Sequence, residues 1–520
     1  MARRSLKYNA AVLTVTGFLV KAIGFVYRVF IANGIGSEGL GLYQLVVPIY
    51  SLLVLVLSAG ISVAVSRFVA EETSRRLDEK GMRIASLSSG LVMVTGVIVC
   101  GLLIINLDSL VLGITGDART RNSLFWMLVL IPPIAAASAY KGYFYGRQEM
   151  LPNAIGQILE QITKLCFVLV LFDSFKGKGL ESMCLLAVMA MLVGEYVNVL
   201  VVYIVFLWQK AKKGAKSQQN SEKQKVTLKK IIKTALPISA NRLILSTIGT
   251  AENLIIPQRL ILYGLTFQDS LKAFGRLTGM ASPLVFFPSM LPMALATALV
   301  PAIASAVASK QYAVANRQIS QSIRLTFIMG LIFTSFFATC SHELAELVYP
   351  GENVGDILYL LAFTGVFLYL QQTMLGILNG LARESAILIN TLLGSIIRLA
   401  VIWFAIPLFG ANAYIYAVIG GSILTIILNF REISKITGMS IDMGEWLLKP
   451  LAATLLGSVA ALILKQLPSL WHISGRLAML CSVGIVLVVI LATFTLTGIV
   501  KREDLKRWAG KNKTTIYDFL

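Results

Sequence analysis

The stretch "AVLTVTGFLVKAIGFVYRVFIAN", residues 11–33, decides the fold class of this chain. As a helix rising about 1.5 Å per residue, it is long enough to cross the roughly 30 Å hydrocarbon layer of a membrane. It carries two cations, Lys21 and Arg28, whose spacing of two helical turns puts both on one face. Gly24 lies on that face and leaves space beside the charges. The stretch predicts a membrane-spanning helix with one charged face.

Apolar runs of this length recur along the whole chain. The 520 residues are 57% hydrophobic and only 14% charged, with a mean hydropathy of +0.78. The runs do not alternate apolar and polar residues, which argues against a β-barrel, and a helix satisfies its own backbone in lipid. We predict an all-α polytopic membrane protein with about 14 transmembrane helices, the first retained rather than cleaved as a signal peptide. The predicted spans are 11–33, 44–66, 84–106, 123–145, 152–172, 182–208, 231–256, 279–304, 321–340, 356–380, 385–408, 411–430, 446–464 and 477–499.

Two series of matching residues indicate an internal duplication. The matched residues are Gly142, Gly146, Lys164 and Leu165 with Gly376, Gly380, Arg398 and Leu399 at an offset of 234, and Pro48 and Ser66 with Pro283 and Pro301 at 235. Because six spans return the chain to the same side, two six-helix lobes should be related by a pseudo-two-fold axis along the membrane normal. The predicted parts are an N-lobe at 1–208, a basic cytoplasmic linker at 209–230, a C-lobe at 231–440, and two further spans with a basic tail at 441–520.

The net charge of +20 reflects basic loops rather than a nucleic-acid surface. Lys and Arg gather in the amino terminus, the loop around residues 67–83, the central linker and the tail, all on one side of the predicted spans. By the positive-inside rule this side is cytoplasmic, so both termini lie inside a multi-pass protein of the cytoplasmic membrane. The five cysteines form no CxxC pair, so neither a disulfide framework nor a metal site is predicted.

Ionisable residues inside the apolar spans are the candidates for function. Each costs about 2.5–3.5 kcal/mol at mid-bilayer, so such residues usually face a cavity or a partner. Glu160 and Lys164 are four residues apart and can pair within one helix. For Arg28 and Lys141, which approach span ends, reaching the membrane surface is the alternative. The candidates are Lys21, Arg28, Lys141, Glu160, Lys164, Glu195, Arg242, Glu252 and Arg398.

The surplus of cations predicts an anion-binding chamber between the two lobes. A lipid-linked pyrophosphate suits such a chamber, because its headgroup is anionic while its tail stays in lipid. The predicted pyrophosphate contacts are Lys21, Arg28, Lys164, Arg242 and Arg398. Charge-balancing residues, or sites for coupling Na⁺ or H⁺, are Glu160, Glu195 and Glu252. Polar cavity residues are Asn241, Asn253, Gln157, Gln161 and Asn390, with Gln371 and Gln372; hydrogen bonding between helices is the alternative role for such amides.

Catalysis finds little support in the sequence. The two histidines, His342 and His472, fall in predicted outer loops. No nucleophile elbow and no paired-carboxylate motif is present, and "FKGKG" at 175–179 lacks the Walker A spacing. We therefore predict a secondary transporter rather than an enzyme, with no catalytic residue and no cofactor.

Four stretches carry a family resemblance. They are "KAIGFVYRVFIANGIGSEGLGLYQLVVPIYSLL" (21–53), "SRFVAEE" (66–72), "KGYFYGRQEMLPNAIGQILEQITKL" (141–165) and "ISANRLILSTIGTAENLIIPQRL" (238–260). They resemble the stage V sporulation protein B branch of the polysaccharide transport family, within the multidrug/oligosaccharidyl-lipid/polysaccharide exporter superfamily. The resemblance implies two six-helix lobes and two extra helices around a central cavity.

The resemblance also implies a function. Relatives flip lipid II or other undecaprenyl-pyrophosphate-linked saccharides by alternating access, and the sporulation branch is associated with spore cortex peptidoglycan. Mur-type lipid II flippases carry a basic pair in their first span, close to Lys21 and Arg28. The implied partners are the lipid-linked saccharide, membrane lipids and cell-wall synthesis enzymes, without nucleic acid. Two alternatives stay open: a cation-coupled multidrug exporter of the same fold, and a scaffold without transport in a cell-wall or sporulation complex.

Overall fold

Helices form the regular secondary structure in a computed structural model of the chain. The structure describes residues 6–58, 60–75, 77–213, 221–438, 444–470 and 475–499, and no strand occurs within these ranges. Long apolar sequences favour this outcome in lipid, because an α-helix bonds its backbone N–H and C=O groups within one segment. The predicted all-α class is confirmed.

The chain divides into two compact units, and the first comprises Met1–Pro257. Its helices are α1 (Leu6–Ser58), α2 (Ile61–Ser74), α3 (Asp78–Ile105), α4 (Arg121–Gly146), α5 (Leu151–Phe175), α6 (Leu180–Lys213) and α7 (Ser221–Leu262), which runs past the end of the unit. Short turns at Leu107–Leu110, Val111–Thr115 and Ala118–Thr120 connect α3 to α4. Helix α1 bends at Gly36, where φ is 68° and ψ is 178°. Only glycine adopts this conformation readily, so the bend is a property of the sequence.

The second unit comprises Gln258–Leu520. Its helices are α8 (Phe267–Phe274), α9 (Ser282–Phe286), α10 (Met290–Ala308), α11 (Tyr312–Thr339), α12 (Ser341–Val348), α13 (Gly355–Ala362), α14 (Thr364–Gly380), α15 (Glu384–Phe409), α16 (Asn412–Thr437), α17 (Lys449–Leu464) and α18 (Gly475–Leu496). Short π, 3₁₀ and α turns lie at Gly275–Ala281, Phe287–Ser289, Gly444–Leu448 and Leu467–Leu470.

The described residues contain 11 helical stretches that are long and apolar enough to cross a membrane. The number is 12 if α13 and α14, which meet at a bend of 46°, form one span. The first stretch, Val12–Ser74, has 63 residues and is about 95 Å long as a helix, enough for two crossings. Helix α7, where a seventh span was predicted, is not among the 11 stretches. The multi-pass character is confirmed, and the count of 14 stays a prediction.

The unit boundary differs from the predicted linker at 209–230. Helix α6 continues to Lys213 and α7 already begins at Ser221, while residues 214–220 lie outside the described part of the chain. The units divide after Pro257 rather than before residue 231. The hydroxyl of Thr250 in α7 donates to the Pro48 carbonyl at 3.3 Å, which ties this part of α7 to α1. The whole predicted seventh span, 231–256, therefore belongs to the first unit. The basic tail beyond residue 499 is also outside the described residues.

The duplication is visible in the packing inside each unit. A Cβ atom at Gly142 would collide with the backbone of Ser62, and one at Gly376 would collide with that of Ala296. Both the glycines and their contacts are 234 residues apart. Gly146 packs against Ser66 and Val69, and Gly380 packs against Val300 and Ile303, again at 234. These matched contacts support the predicted duplication. They pair Ser66 with Val300 rather than with Pro301, because the equivalence follows from the packing partners and not from the residue type.

A second close contact recurs at the charged residues. In the first unit, Gly194 of α6 lies against the side chain of Lys164 and the carbonyl of Glu160. In the second unit, Gly421 of α16 lies against the side chain of Arg398 and the carbonyl of Gly394. Close approach through small residues is typical of helix pairs in membranes. The pairs α5–α6 and α15–α16 thus hold a cation at the same point of each unit.

Candidate functional site

A buried polar cluster lies between α5 and α6. Lys164 Nζ is 2.5 Å from Glu160 Oε1, one helical turn away on α5, and both side chains are buried. Asn198 of α6 donates through Nδ2 to Glu160 Oε2 at 2.8 Å, and Gln161 donates through Nε2 to Oε1 at 3.1 Å. The Glu160 carboxylate therefore receives donors from three side chains. The ion pair that the four-residue spacing allows is formed, and it compensates the charge of Lys164.

Further charges of the first unit surround this pair. Glu195 of α6 interacts electrostatically with Lys164 and with Lys141. Glu195 also lies close enough to Glu160 for the two carboxylates to repel each other. Buried charges in a low-dielectric interior are stable only when they are paired and hydrogen-bonded. The charges of Lys164 and Glu160 therefore compensate each other within the unit.

The charged face of α1 has a different environment. Lys21 and Arg28 are both half-buried. Between them, the backbone of Gly24 lies beside the Gln161 side chain of α5, so that an added Cβ would be 3.2 Å from Oε1. Arg28 is close enough to Tyr43 for an electrostatic interaction. Within the described residues Arg28 forms no ion pair. This face retains a cation that no carboxylate of the described residues compensates.

The candidates on α7 are separated along the helix axis. Arg242 is exposed and Glu252 is buried. Ten residues of helix place them about 15 Å apart along the axis, so they do not form one contact. Asn253 donates through Nδ2 to the Gly249 carbonyl at 2.8 Å, within its own helix. The side chain of Asn241 is outside the described residues.

A cavity of about 240 Å³ lies within the second unit. Arg398 is the charged residue in its wall, and no Asp or Glu is among the described residues that line it. Polar groups come from α14, α15 and α16. The lining residues are Phe286, Ser289, Leu368, Gln371, Gln372, Leu375, Thr391, Gly394, Ser395, Arg398, Gly421, Thr425 and Asn429.

Hydrogen bonds fix two of the amides at this cavity. Asn390 Nδ2 donates to Asn429 Oδ1 at 2.9 Å, and both residues are buried. Gln371 Nε2 donates to the Ser422 carbonyl at 3.2 Å. Asn390 was predicted as a cavity residue. It does not line the cavity itself, but its hydrogen bond orients Asn429, which does. Gln157 was also predicted as a cavity residue. It belongs to α5 of the first unit, where its side chain is half-buried.

Two functional side chains were missing from the sequence prediction. Asn198 and Asn429 each lie in an apolar helix and form an interhelical hydrogen bond within their unit. An isolated asparagine in an apolar span was the available signal, because such residues commonly bond between helices. The described residues hold no cluster of three or more His, Cys, Asp or Glu that could bind a metal ion.

Comparison with known families identifies the chain. The profile of the family described as "Polysaccharide biosynthesis protein" matches residues 6–307, more than half of the 520 residues. The chain belongs to the polysaccharide biosynthesis protein family. A second profile, MatE, matches residues 278–404, in the second unit. The family membership covers the first unit almost completely, including both α1 and the α5–α6 cluster.

The chain is similar in sequence to a sporulation protein and in fold to two solved membrane proteins. Stage V sporulation protein B of Bacillus subtilis (strain 168) is 27% identical over 515 residues, which cover 98% of each chain. The structure of lipid II flippase MurJ in an inward closed conformation matches with a TM-score of 0.65 at 12% identity, covering 93% of this chain and 97% of that one. An inward-facing multidrug resistance MATE family transporter of the MOP superfamily matches with a TM-score of 0.64 at 17% identity, covering 81% and 96%. The chain is thus a multi-pass membrane protein of the polysaccharide biosynthesis protein family, and it shares its fold with MurJ and with a MATE transporter.

Proposed function

We propose that this protein is a flippase for an undecaprenyl-pyrophosphate-linked saccharide, with lipid II as the first candidate. It would move the headgroup across the cytoplasmic membrane by alternating access, with both termini in the cytoplasm. The relationship to stage V sporulation protein B over nearly the whole chain supports this proposal, as does the fold shared with lipid II flippase MurJ. Peptidoglycan synthesis, including that of the spore cortex, would use the product, and cell-wall synthesis enzymes would be its partners.

The observation that carries the proposal is the charged face of α1. Lys21 and Arg28 lie half-buried in an apolar helix, two turns apart, and the Gln161 side chain of α5 packs against Gly24 between them. Cations at such a depth are costly unless they serve a ligand or a partner. Two basic groups at this separation suit a pyrophosphate, because charge-assisted hydrogen bonds to phosphate are strong in a partly dry site. Arg242 on α7 is a third proposed contact.

Lys164 has a weaker claim to substrate contact than the other predicted cations. Its ammonium group is already bound by Glu160 and interacts with Glu195. Replacing a carboxylate partner by phosphate would leave a buried carboxylate without its cation, which is costly. We propose that Lys164 stabilises the α5–α6 pair instead. Glu195 and Glu252 are the candidate residues for coupling transport to Na⁺ or H⁺.

The test is reconstitution of the full chain with headgroup-labelled lipid II. Protein-dependent exposure of the label to a membrane-impermeant quencher measures translocation. Lys21→Gln should lower the rate at least tenfold, because one charge-assisted contact is worth about 1.5–3 kcal/mol. The matched control is Lys210→Gln, at an exposed position near the end of α6. Absence of protein-dependent movement with the unaltered chain would contradict the proposal.

A cation-coupled multidrug exporter is the second candidate function. The MatE match at residues 278–404 and the fold shared with a multidrug MATE transporter favour it. A cationic drug, however, would be repelled by the face that carries Lys21 and Arg28. Accumulation of a fluorescent organic cation in the same proteoliposomes distinguishes the two functions. A scaffold without transport would move neither substrate and would tolerate Lys21→Gln.

A further inference from the structure

Helix α11 of the second unit carries two arginines on one polar face. Arg317, Gln321 and Arg324 follow the spacing i, i+4, i+7, which places their side chains on the same side of a helix. Arg317 and Gln321 are exposed, and Arg324 is half-buried. The sequence of α11 contains no Asp or Glu. This α11 face is therefore basic, and its own helix supplies no compensating acid.

The length of α11 sets the depth of these arginines in a membrane. The helix is one of the stretches apolar enough to cross a bilayer, and it ends at Thr339. A span of about 20 residues counted back from this end reaches Ser320, so Arg324 lies about one helical turn inside the hydrocarbon boundary and Arg317 lies outside it. Side chains of a helix point toward its N-terminus. The long side chain of Arg324 is thus directed back toward the lipid headgroups, on the side predicted to be cytoplasmic.

The neighbouring helices do not neutralise this face. Helices α10, α14, α17 and α18, which pack against α11, contain no Asp or Glu. The acids of α12 and α13 follow the opposite end of α11, and Glu432 of α16 is 3.8 Å from Arg383. The side chain of Glu445, in the turn before α17, is outside the described residues. Among the residues that the structure describes, neither Arg317 nor Arg324 forms an ion pair.

The first unit shows that the fold does not require an arginine at this point. Gly96 of α3 packs closely against Pro132 of α4, and the same contact recurs 234 residues later at Gly330 of α11. At this offset Arg324 corresponds to Gly90. Gly90 is exposed, and an added Cβ there meets no atom within 4 Å. A costly intramembrane cation in only one of two equivalent positions indicates a function specific to the second unit.

Helix α17 lies beside the basic face. The hydroxyls of Ser335 in α11 and Ser458 in α17 are 2.6 Å apart, and Lys465 Nζ donates to the Thr339 carbonyl at 2.9 Å. The order of these contacts shows that the two helices run in the same direction. Ser335 follows Arg324 by 11 residues, about 20° around the helix, so Arg324 is on the side of α11 that meets α17. Its Nε atom is shielded there and forms no hydrogen bond with the described residues.

We propose that the basic face of α11, beside the first turns of α17, binds the headgroup of an anionic phospholipid from the cytoplasmic leaflet. Arg324 binds the lipid phosphate through parallel hydrogen bonds, for which its shielded Nε is an available donor. Arg317 and Gln321 lie nearer to water and contact the rest of the headgroup. Basic sites between helices on the cytoplasmic side commonly bind such lipids, because this leaflet supplies them. The site is independent of the proposed transport function.

Lipid binding to the full chain in detergent tests the site. Native mass spectrometry measures the concentrations at which phosphatidylglycerol and phosphatidylcholine with identical acyl chains occupy the protein. Phosphatidylglycerol should bind at a concentration at least fivefold lower than phosphatidylcholine. Arg324→Gln should raise the phosphatidylglycerol concentration at least fivefold and leave that of phosphatidylcholine unchanged, and Arg324→Lys should have a smaller effect. Equal binding of the two lipids by the unaltered chain would overturn the proposal.

A matched control separates this site from the general attraction of a basic protein for anionic lipid. Arg431→Gln removes the same charge at an exposed position of α16 and should leave phosphatidylglycerol binding unchanged. If Arg324→Gln does not fold, Arg317→Gln changes an exposed residue and should weaken binding at least twofold. Equal effects of the site variant and of Arg431→Gln would overturn the proposal.

Protection of a cysteine locates the bound lipid. Gln321→Cys is placed in a background in which the two exposed native cysteines, Cys166 and Cys481, are serine, and the three other cysteines are buried. Phosphatidylglycerol should slow the reaction of Gln321→Cys with a sulfonate-bearing thiol reagent at least threefold, and phosphatidylcholine should not. Protection by inorganic phosphate at the same concentration would assign a free anion instead. Stronger protection by farnesyl pyrophosphate would assign a pyrophosphate lipid, and either result would overturn the proposal.

Discussion

Glu160 and Gly394 occupy equivalent positions in the two units of the chain. The carbonyl of Glu160 packs against Gly194 of the following helix. The carbonyl of Gly394 packs against Gly421 in the same way. Four residues further along, each unit carries a cation, Lys164 or Arg398. Lys164 is therefore bonded to Glu160 in one copy, whereas Arg398 of the other copy lies in the wall of a cavity.

The Glu160–Lys164 ion pair should make a large contribution to the stability of the first unit. Glu160→Gln leaves the Lys164 ammonium group buried without its bonded carboxylate, and removing one partner of a buried pair costs about 3–5 kcal/mol. The double variant Glu160→Gln with Lys164→Met should recover most of this loss, because both charges are then absent. Equilibrium unfolding in mixed micelles measures the free energies.

An exposed pair provides the control for this prediction. Arg67 and Glu71 are 3.5 Å apart on α2, with side chains 70% and 49% exposed. Glu71→Gln should change the free energy of unfolding by no more than about 1 kcal/mol, because water screens such a pair. A similarly small effect of Glu160→Gln would contradict the structural role of the buried pair.

The repeated glycine contacts should be intolerant of a methyl group in both units. Gly142→Ala and Gly376→Ala place a Cβ against the backbones of Ser62 and Ala296, and overpacking of this kind costs about 1–3 kcal/mol. The matched control is Gly90→Ala in α3, where an added Cβ meets no atom within 4 Å. Thermal unfolding in detergent should show lower midpoints for the first two variants and no decrease for the third. Equal midpoints for all three would argue against the close helix contacts.

Positive charge, rather than the lysine side chain itself, should matter on the charged face of α1. Lys21→Arg should translocate lipid II at a rate within about threefold of the unaltered protein, because arginine also binds phosphate. The double variant Lys21→Gln with Arg28→Gln should be slower than Lys21→Gln alone. The reconstituted translocation assay compares these rates. If the double variant is as fast as Lys21→Gln alone, Arg28 does not contribute to substrate binding.

Much of the local structure could be predicted from the sequence. The four-residue spacing predicted the bond between Glu160 and Lys164, and the glycine matches predicted equivalent helix contacts, because both depend on helical periodicity. The cavity at Arg398 was not predicted, since its wall combines three helices whose packing no local pattern specifies. Nor was the unit boundary at Pro257, because contacts of α7 with α1 decide it rather than the polar composition of the preceding segment.

The central claim is that α1 has a hydrated, cationic face that binds the substrate. Measuring whether water-soluble reagents and substrate reach position 21 tests this claim most directly. Lys21→Cys, in the Cys166→Ser and Cys481→Ser background, is treated with an anionic thiol reagent in proteoliposomes, alongside Val26→Cys on another, exposed face of the same helix. We expect modification at position 21 but not at position 26, where lipid excludes the reagent, and slower modification at 21 when lipid II is present. Lack of reaction at position 21, or reaction that lipid II does not slow, would contradict the account.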